Sequence, residues 1–315
     1  INCSKEDIAF FTNPSTALNT VLRSLDLKEG DEILSTDHEY GAMDRAWNYL
    51  SKKKGIKYIK QKVNLPIESK EAFIKDFIKG VSSNTKVIFL SQITSPTALV
   101  FPVKEICDFA REKNIITIID GAHVPGQIEL DIKDMNPDFY SGACHKWMCS
   151  PKGVAFLYTK KSFQNIIEPL VISWGYEAEN PSNSQFLDYL QWQGTNDMSA
   201  YLTIPDTIKF LKEKNWREIS DECQDLNHWA KQEIKDKLNI KDVSSNEFTA
   251  KQMSSFFIKF DDPVNDQIEF YRKYKIQVPF ISWNNQTLFR ISIQAYNTEE
   301  DIHKLIQSLQ EYIKK

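Results

Sequence analysis

The sequence predicts an α/β protein, with a mixed, mostly parallel sheet covered by helices on both faces and a smaller C-terminal α+β domain. Three observations carry this. Strand-like apolar runs alternate with helical spacings over the first two thirds of the chain. Two of the runs, residues 86–91 (KVIFLS) and 115–120 (IITIID), are continuously apolar, as strands buried on both faces are. After residue 180 the alternation stops and helices and strands come in a different texture.

In chain order, residues 8–11 form a short apolar run. Residues 15–25 place Ala17, Leu18, Val21, Leu22 and Leu25 at helical spacing. Residues 31–35 read as a strand and 42–52 as a helix, residues 57–63 alternate, and residues 70–78 are amphipathic. A helix over 103–113 joins the two buried strands, and 154–158 reads as another strand. Residues 180–184 (NPSNS) are a loop by composition. Helices follow at 199–212 and, highly charged, at 216–237; then strands at 254–260 and 288–293 and a terminal helix at 299–312. The expected division is a large domain over residues 1–205 and a small one over 206–315, a reasonable partition of 315 residues.

Composition narrows the function. The chain is 41% apolar and 26% charged, with a net charge of −4. No basic stretch carries interleaved aromatics, so nucleic acid is not an expected partner. The run Lys52, Lys53, Lys54 reads as a solvated helix end. No apolar stretch approaches the ~20 residues that span a bilayer, and no signal-peptide pattern opens the chain. Five cysteines without a CxxC pair point to a reducing, cytoplasmic setting and to no metal site. The chain begins at Ile1 and runs almost at once into an apolar strand, so an N-terminal segment is expected to be missing.

In open α/β sheets ligands sit beyond the carboxyl ends of the strands. Four such ends carry polar residues. The first run leads to Ser15 and Thr16 at a helix start, suited to a phosphate, although a plain N-cap explains them equally. The second leads to Asp37, His38, Glu39 and Tyr40, the third to Gln92, Thr94, Ser95 and Thr97, and the fourth to Asp120 and His123. A single histidine at such a place is more often structural; repetition across strands shifts the balance. The segment DFYSGACHKW (138–147) then puts Lys146 directly after a strand-like run. Lys146 alone is better explained by a surface turn. Partly buried, it becomes an amine nucleophile toward an aldehyde. Asp120 supplies the second half: a carboxylate at a buried strand end needs a partner, and a pyridinium nitrogen is one.

These motifs resemble the aminotransferase class V family of fold-type I pyridoxal phosphate enzymes, most closely its isopenicillin N epimerase-like branch and more distantly the cysteine desulfurases. The matching pieces are DGAH (120–123), HKW and PKG (145–147, 151–153), QITSPTALVFP (92–102), SWGY (173–176), WQGTND (192–197) and RISIQAYNTEED (290–301), in the family's order over nearly the whole chain. The resemblance implies the aspartate aminotransferase-like fold and pyridoxal 5'-phosphate held as a Schiff base on Lys146. It implies that Lys146 moves the proton at Cα and that Asp120 binds the pyridine nitrogen. His38 would stack on the ring, and His123 and Ser95 would lie near its phenolic oxygen. Ser15 and His145 would contact the phosphate. Thr195 would reach the cofactor of a neighbouring subunit, implying a homodimer with interfacial sites. Arg290 would clamp the carboxylate of a small amino-acid substrate in a bidentate pair.

Departures sharpen the expectation. Pro14 removes a backbone donor where the family usually has one. Ala143 replaces a phosphate-binding serine of desulfurases, with Ser141 nearby. The loop expected at 278–285 holds no cysteine, which argues against a persulfide-forming desulfurase, and its Phe280 and Trp283 point to an aromatic pocket. The expected activity is therefore epimerisation or β-elimination, including C–S cleavage, at Cα or Cβ. Epimerisation needs a second acid, for which Tyr40 and His38 are candidates. Transamination is the alternative reaction. A catalytically silent binding protein of this fold is the alternative of another class; the intact Lys146, Asp120 and Arg290 set argues against it.

Overall fold

The computed structural model describes residues 1–313. The chain divides into two compact units. The first comprises Ile1–Val63, Lys70–Ile93 and Phe101–Lys212; the second comprises Asn64–Ser69, Thr94–Val100 and the stretch from Glu213 onward.

The first unit contains β1 (Ile8–Phe11), α1 (Pro14–Ser24), β2 (Glu32–Thr36), α2 (Gly41–Lys54), β3 (Lys57–Gln61), α3 (Lys70–Ile78), β4 (Thr85–Ser91), α4 (Val103–Glu112), β5 (Ile116–Gly121), α5 (Ile132–Met135), β6 (Phe139–Ala143) and β7 (Ala155–Thr159). It ends with α6 (Gln185–Gln191), α7 (Ser199–Leu202) and most of α8 (Ile204–Glu213). Its sheet has seven strands in the order β1-β7-β6-β5-β4-β2-β3. Strands β3, β2, β4, β5 and β6 pair in parallel, and β7 and β1 join antiparallel. The expected mixed, mostly parallel sheet is thus present.

Burial explains why the central strands lack polar alternation. Ile33, Val87, Phe89, Ile118 and Leu157 pack in one cluster with Leu18, Leu22 and Trp47 from the helices. Their strand neighbours Leu34, Ile88, Leu90 and Ile119 point to the opposite face and are equally inaccessible. Both faces are therefore covered, and the middle of each strand selects mainly apolar side chains. Helix α2 ends at Gly55 in the left-handed conformation (φ 71°), with its N–H on Ser51 O. Lys52, Lys53 and Lys54 occupy that last turn, where cations complement the helix dipole.

The second unit holds α9 (Trp216–Leu238), β8 (Met253–Phe257), α10 (Pro263–Tyr274), β9 (Phe280–Trp283), β10 (Gln286–Ser292) and α11 (Glu299–Ile313). Its three antiparallel strands run β8-β10-β9 over a core that includes Ile234, Phe256, Phe270, Phe280, Phe289 and Leu309. The unit is discontinuous, where the sequence reading drew one stretch from residue 206.

Local differences have local causes. The helix expected over 199–212 breaks at Thr203 into α7 and α8, because Pro205 has no N–H to carry α7 onward. The loop expected at 278–285 is strand β9 and a turn in which Asn284 (φ 46°) and Asn285 (φ 59°) are both left-handed. Two consecutive left-handed residues make the tight hairpin that matches strand twist. Phe280 is 7% exposed and stacks on Phe260 at 3.9 Å, so it belongs to the core. Helices α6 and α10 were not expected. Each carries a visible start signal, Ser184 capping Leu187 N and Asp262 with Pro263 capping Asn265 N.

Candidate active site

The ends of β4, β5 and β6 lie side by side, with Ser91 opposite Asp120 and Asp120 opposite Ser141 in register. Asp120 is 4% exposed. Its carboxylate takes one hydrogen bond, from Ala122 N to Oδ1 at 2.9 Å, which leaves Oδ2 for a ligand. Burial pushes this carboxyl above its ordinary range, while the Ala122 N–H and the charge of Lys146 draw it back. An ionised carboxylate in such a place needs a cationic partner. Gly121 follows without a side chain because Tyr140 crosses there: a Cβ would lie 1.9 Å from the Tyr140 hydroxyl. That hydroxyl donates to Gln92 Oε1 at 2.8 Å.

Lys146 sits in the turn after β6 with its side chain accessible. Its Nζ lies 3.1 Å from His123 Nε2, while the Trp147 indole N–H donates to His123 Nδ1 at 3.2 Å. The turns of 121–127 and 145–149 therefore meet at His123. Gly126 (φ 86°) allows the approach, since a Cβ there would lie 2.4 Å from the Trp147 carbonyl carbon. His145 is half-buried, and its Nδ1–H donates to Val154 O at 2.8 Å, leaving Nε2 for a ligand. Cys144 is buried, and burial pushes its thiol up to about 12, so it is no nucleophile.

The other expected residues are placed as follows. Ser15 lies in the first turn of α1, and the N-cap is Asn13, which accepts from Thr16 N at 2.9 Å. The Ser15 hydroxyl is thus not used as the cap. Ser141 is consumed by Phe156 O at 2.9 Å. Thr195 is exposed in the loop between α6 and α7. Tyr40 is 47% exposed and only its backbone caps α2. His38 must be corrected: its side chain has 0% exposure, packs edge-on against Phe101 and lies 3.5 Å from Asp37. So packed, the ring presents no accessible surface. In the second unit, the Arg290 guanidinium reaches the backbone carbonyl of Ser95 and its hydroxyl, the latter at 3.3 Å. Ser95 is therefore a partner of Arg290. Arg290 Nε has no protein partner, and burial holds the guanidinium down to about 10.

Sequence reasoning missed Glu39. It is 5% exposed and accepts from Thr36 Oγ1 at 2.6 Å, Ser91 N at 2.9 Å and Ser91 Oγ at 2.6 Å, tying the end of β2 to that of β4. Burial outweighs these donors and raises its carboxyl to about 7, whereas burial lowers His38 to about 4. The consequences for stability oppose each other. The folded state holds the Glu39 proton more tightly than the unfolded chain, so that contribution is full at low pH and is lost as pH rises toward 7. The folded state releases the His38 proton more readily, so its contribution is full above the ordinary histidine value and is lost as pH falls toward 4. Glu39→Gln removes the first effect. Urea unfolding should then show stability rising between pH 4.5 and 6.5 by roughly 1–3 kcal/mol more than in the unsubstituted chain. An unchanged profile would mean that Glu39 titrates normally.

The family model for aminotransferase class-V matches residues 1–305. The chain belongs to the aminotransferase class-V family. Among class-V relatives, isopenicillin N epimerase of Amycolatopsis lactamdurans is 28% identical, over 98% of this chain and 81% of its own length. Hercynylcysteine sulfoxide lyase of Schizosaccharomyces pombe is 22% identical, over 99% and 81%. The apo cysteine desulfurase of Thermococcus onnurineus NA1 superposes with a TM-score of 0.83 at 19% identity, covering 99% of this chain and 80% of that one. The class-V fold expected from the motifs is thus the fold observed.

Proposed function

We propose that this chain is a pyridoxal phosphate-dependent enzyme that labilises a bond at Cα of a small amino acid, as an epimerase or a C–S or β-lyase. The observation that carries the reading is the buried Asp120 carboxylate, with one oxygen unused, in the same unit as the accessible Lys146 amine. The donor set fits the cofactor: a carboxylate for a pyridine N–H, an amine for an aldehyde, and hydroxyl and imidazole groups at Ser15 and His145 for a phosphate. Bound there, pyridoxal phosphate supplies an electron-withdrawing ring that weakens the bonds at the substrate Cα.

The protein's own residues do the rest. Lys146 would hold the cofactor through its amine, and the same amine is placed to take and return a proton at the substrate Cα. Asp120 keeps the ring nitrogen protonated through its charge. Arg290, with Nε unused and Nη1 braced by Ser95, suits a carboxylate. With His38 sealed, Tyr40 is the remaining candidate for an acid on the second face. Arg290→Lys keeps the charge and loses the fork, and should lower kcat/KM roughly 10–100-fold, mainly through KM.

Two finer readings accompany this. A homodimer is supported by the exposed Ile172 (65%), Trp174 (77%), Trp192 (62%) and Leu202 (74%) in the first unit, with Thr195 in the same loop region. Sedimentation should find a dimer, and Trp192→Ser with Leu202→Lys should shift it toward monomer. A cytoplasmic location is supported by the absence of any disulfide among the described cysteines. Among the described residues no helix is long and apolar enough to cross a membrane.

The test is chemical. Borohydride treatment of the cofactor-loaded chain should fix pyridoxyl mass on the peptide containing Lys146. Label on another lysine, or none, would overturn the reading. A screen of amino acids for pyruvate, ammonia or sulfide release and for deuterium exchange at Cα then separates the reactions. Exchange without release indicates epimerisation, and turnover that depends on a keto acid indicates transamination.

A further inference from the structure

The contact between Trp147 and His123 has no role in the chemistry described so far. An indole nitrogen only donates. His123 Nδ1, which receives it at 3.2 Å, must therefore present a lone pair, and the proton of the neutral imidazole is on Nε2. Nε2 is the nitrogen that faces Lys146 Nζ at 3.1 Å. We propose that Trp147 is a positioning residue that sets the tautomer of His123, so that the ring meets the lysine side of the site as a hydrogen-bond donor.

The surroundings hold this contact in place. Trp147 and His123 are each 8% exposed, so water competes little for either nitrogen. Gln127 Nε2 donates to His123 O at 2.8 Å, which fixes the backbone that carries the ring. Gly126 lies against the Trp147 backbone so closely that no side chain fits between the two turns. The neighbouring His145 makes the comparison internal. Its Nδ1 faces the Val154 carbonyl, which only accepts, so the same residue type one position before Lys146 is held in the opposite tautomer.

The assignment decides what His123 can do. A ring with Nε2–H requires an acceptor in front of it, which an ammonium at Lys146 is not: the acceptor is the lone pair of the neutral lysine amine or, on the pyridoxal phosphate reading on which this part rests, an anionic oxygen of the cofactor. With the proton on Nδ1 instead, Trp147 N–H would meet another N–H. The tautomer is thus enforced from behind by a residue that does not reach the ligand. His123 acts as a fixed donor and is not a base.

Ring-nitrogen NMR of the full chain labelled with [15N]histidine reads the tautomer directly, with and without pyridoxal phosphate. His123→Gln and His145→Gln identify the two sets of signals among the five histidines. In the unsubstituted chain His123 should show a bare Nδ1 and a protonated Nε2, and His145 the reverse. Trp147→Phe keeps an aromatic ring and removes the donor, and should abolish the preference, with protonated signal appearing at His123 Nδ1. If Trp147→Phe does not fold, replacing residue 147 with benzothienylalanine, which keeps the shape and lacks the N–H, makes the same test. A proton on Nδ1 of His123 in the unsubstituted chain would overturn the proposal. So would an Nε2–H preference that survives loss of the donor. The measurement does not depend on catalysis. A colourless chain with the predicted tautomers would sink the cofactor reading and leave this one standing.

Discussion

Replacing Lys146 with alanine is expected to abolish the yellow absorbance of the cofactor-loaded chain and to lower turnover by about 10²–10⁴-fold, the usual contribution of a positioned proton-transfer group. The fold should hardly notice. The Lys146 side chain is accessible, so its stem contributes little packing, and substitutions of that kind stay within about 0.5 kcal/mol. Absorbance, turnover and thermal unfolding of the same preparation therefore separate chemistry from stability. A variant that keeps its colour and loses less than tenfold in rate would move the chemistry to another amine. Lys152 in the following turn would be the first to check.

Asp120→Asn should have an effect of similar size by a different route. The substitution keeps the shape and removes the charge. If the buried carboxylate pairs with a ring nitrogen, breaking that pair costs about 3–5 kcal/mol, or roughly 10²–10⁴-fold in kcat/KM. The stability effect should have the opposite sign when the cofactor is absent. Burial already pushes the Asp120 carboxyl up, which means that ionising it in the empty fold is unfavourable. The cofactor-free variant should thus be at least as stable as the unsubstituted chain, and pyridoxal phosphate should raise the unfolding temperature of the latter more than that of Asp120→Asn. Equal stabilisation of both by the cofactor would mean that Asp120 does not hold it.

Much of the site was legible because strand ends are legible. The buried strands at β4 and β5 announce themselves as continuous apolar runs, and the residues after them are where an open sheet binds ligands. Asp120, His123 and Lys146 stand out in that way, and the structure gathers them at the ends and turns of neighbouring strands. Periodicity cannot say which of several polar residues in one turn faces outward. In the run from Asp37 to Tyr40, His38 looked like the chemical residue, yet it is sealed against Phe101 while Glu39 links two strands. The Trp147 donor was equally hidden, since Trp147 and His123 are far apart along the chain and meet only because Gly126 lets two turns touch. In the small unit, β9 escaped notice because its Asn284 and Asn285 turn lies beside a strand of only four residues.

The discontinuity of the second unit governs how this protein can be made and cut. Pro96 O accepts from Ser255 Oγ at 2.9 Å, Val100 N donates to Phe248 O at 2.8 Å, and Ala250 N donates to Ala98 O at 2.9 Å. The segment Thr94–Val100 is thus built into a unit whose C-terminal stretch begins more than a hundred residues later. On the ribosome that segment emerges long before these partners, and Val100 N and the carbonyls of Pro96 and Ala98 wait for them until β8 is synthesised. A fragment starting at residue 206 would carry the converse gap, with Phe248 O, Ala250 N and Ser255 Oγ facing water. The small unit is therefore no exchangeable module: graftable or truncatable pieces must keep residues 64–69, residues 94–100 and the C-terminal stretch together.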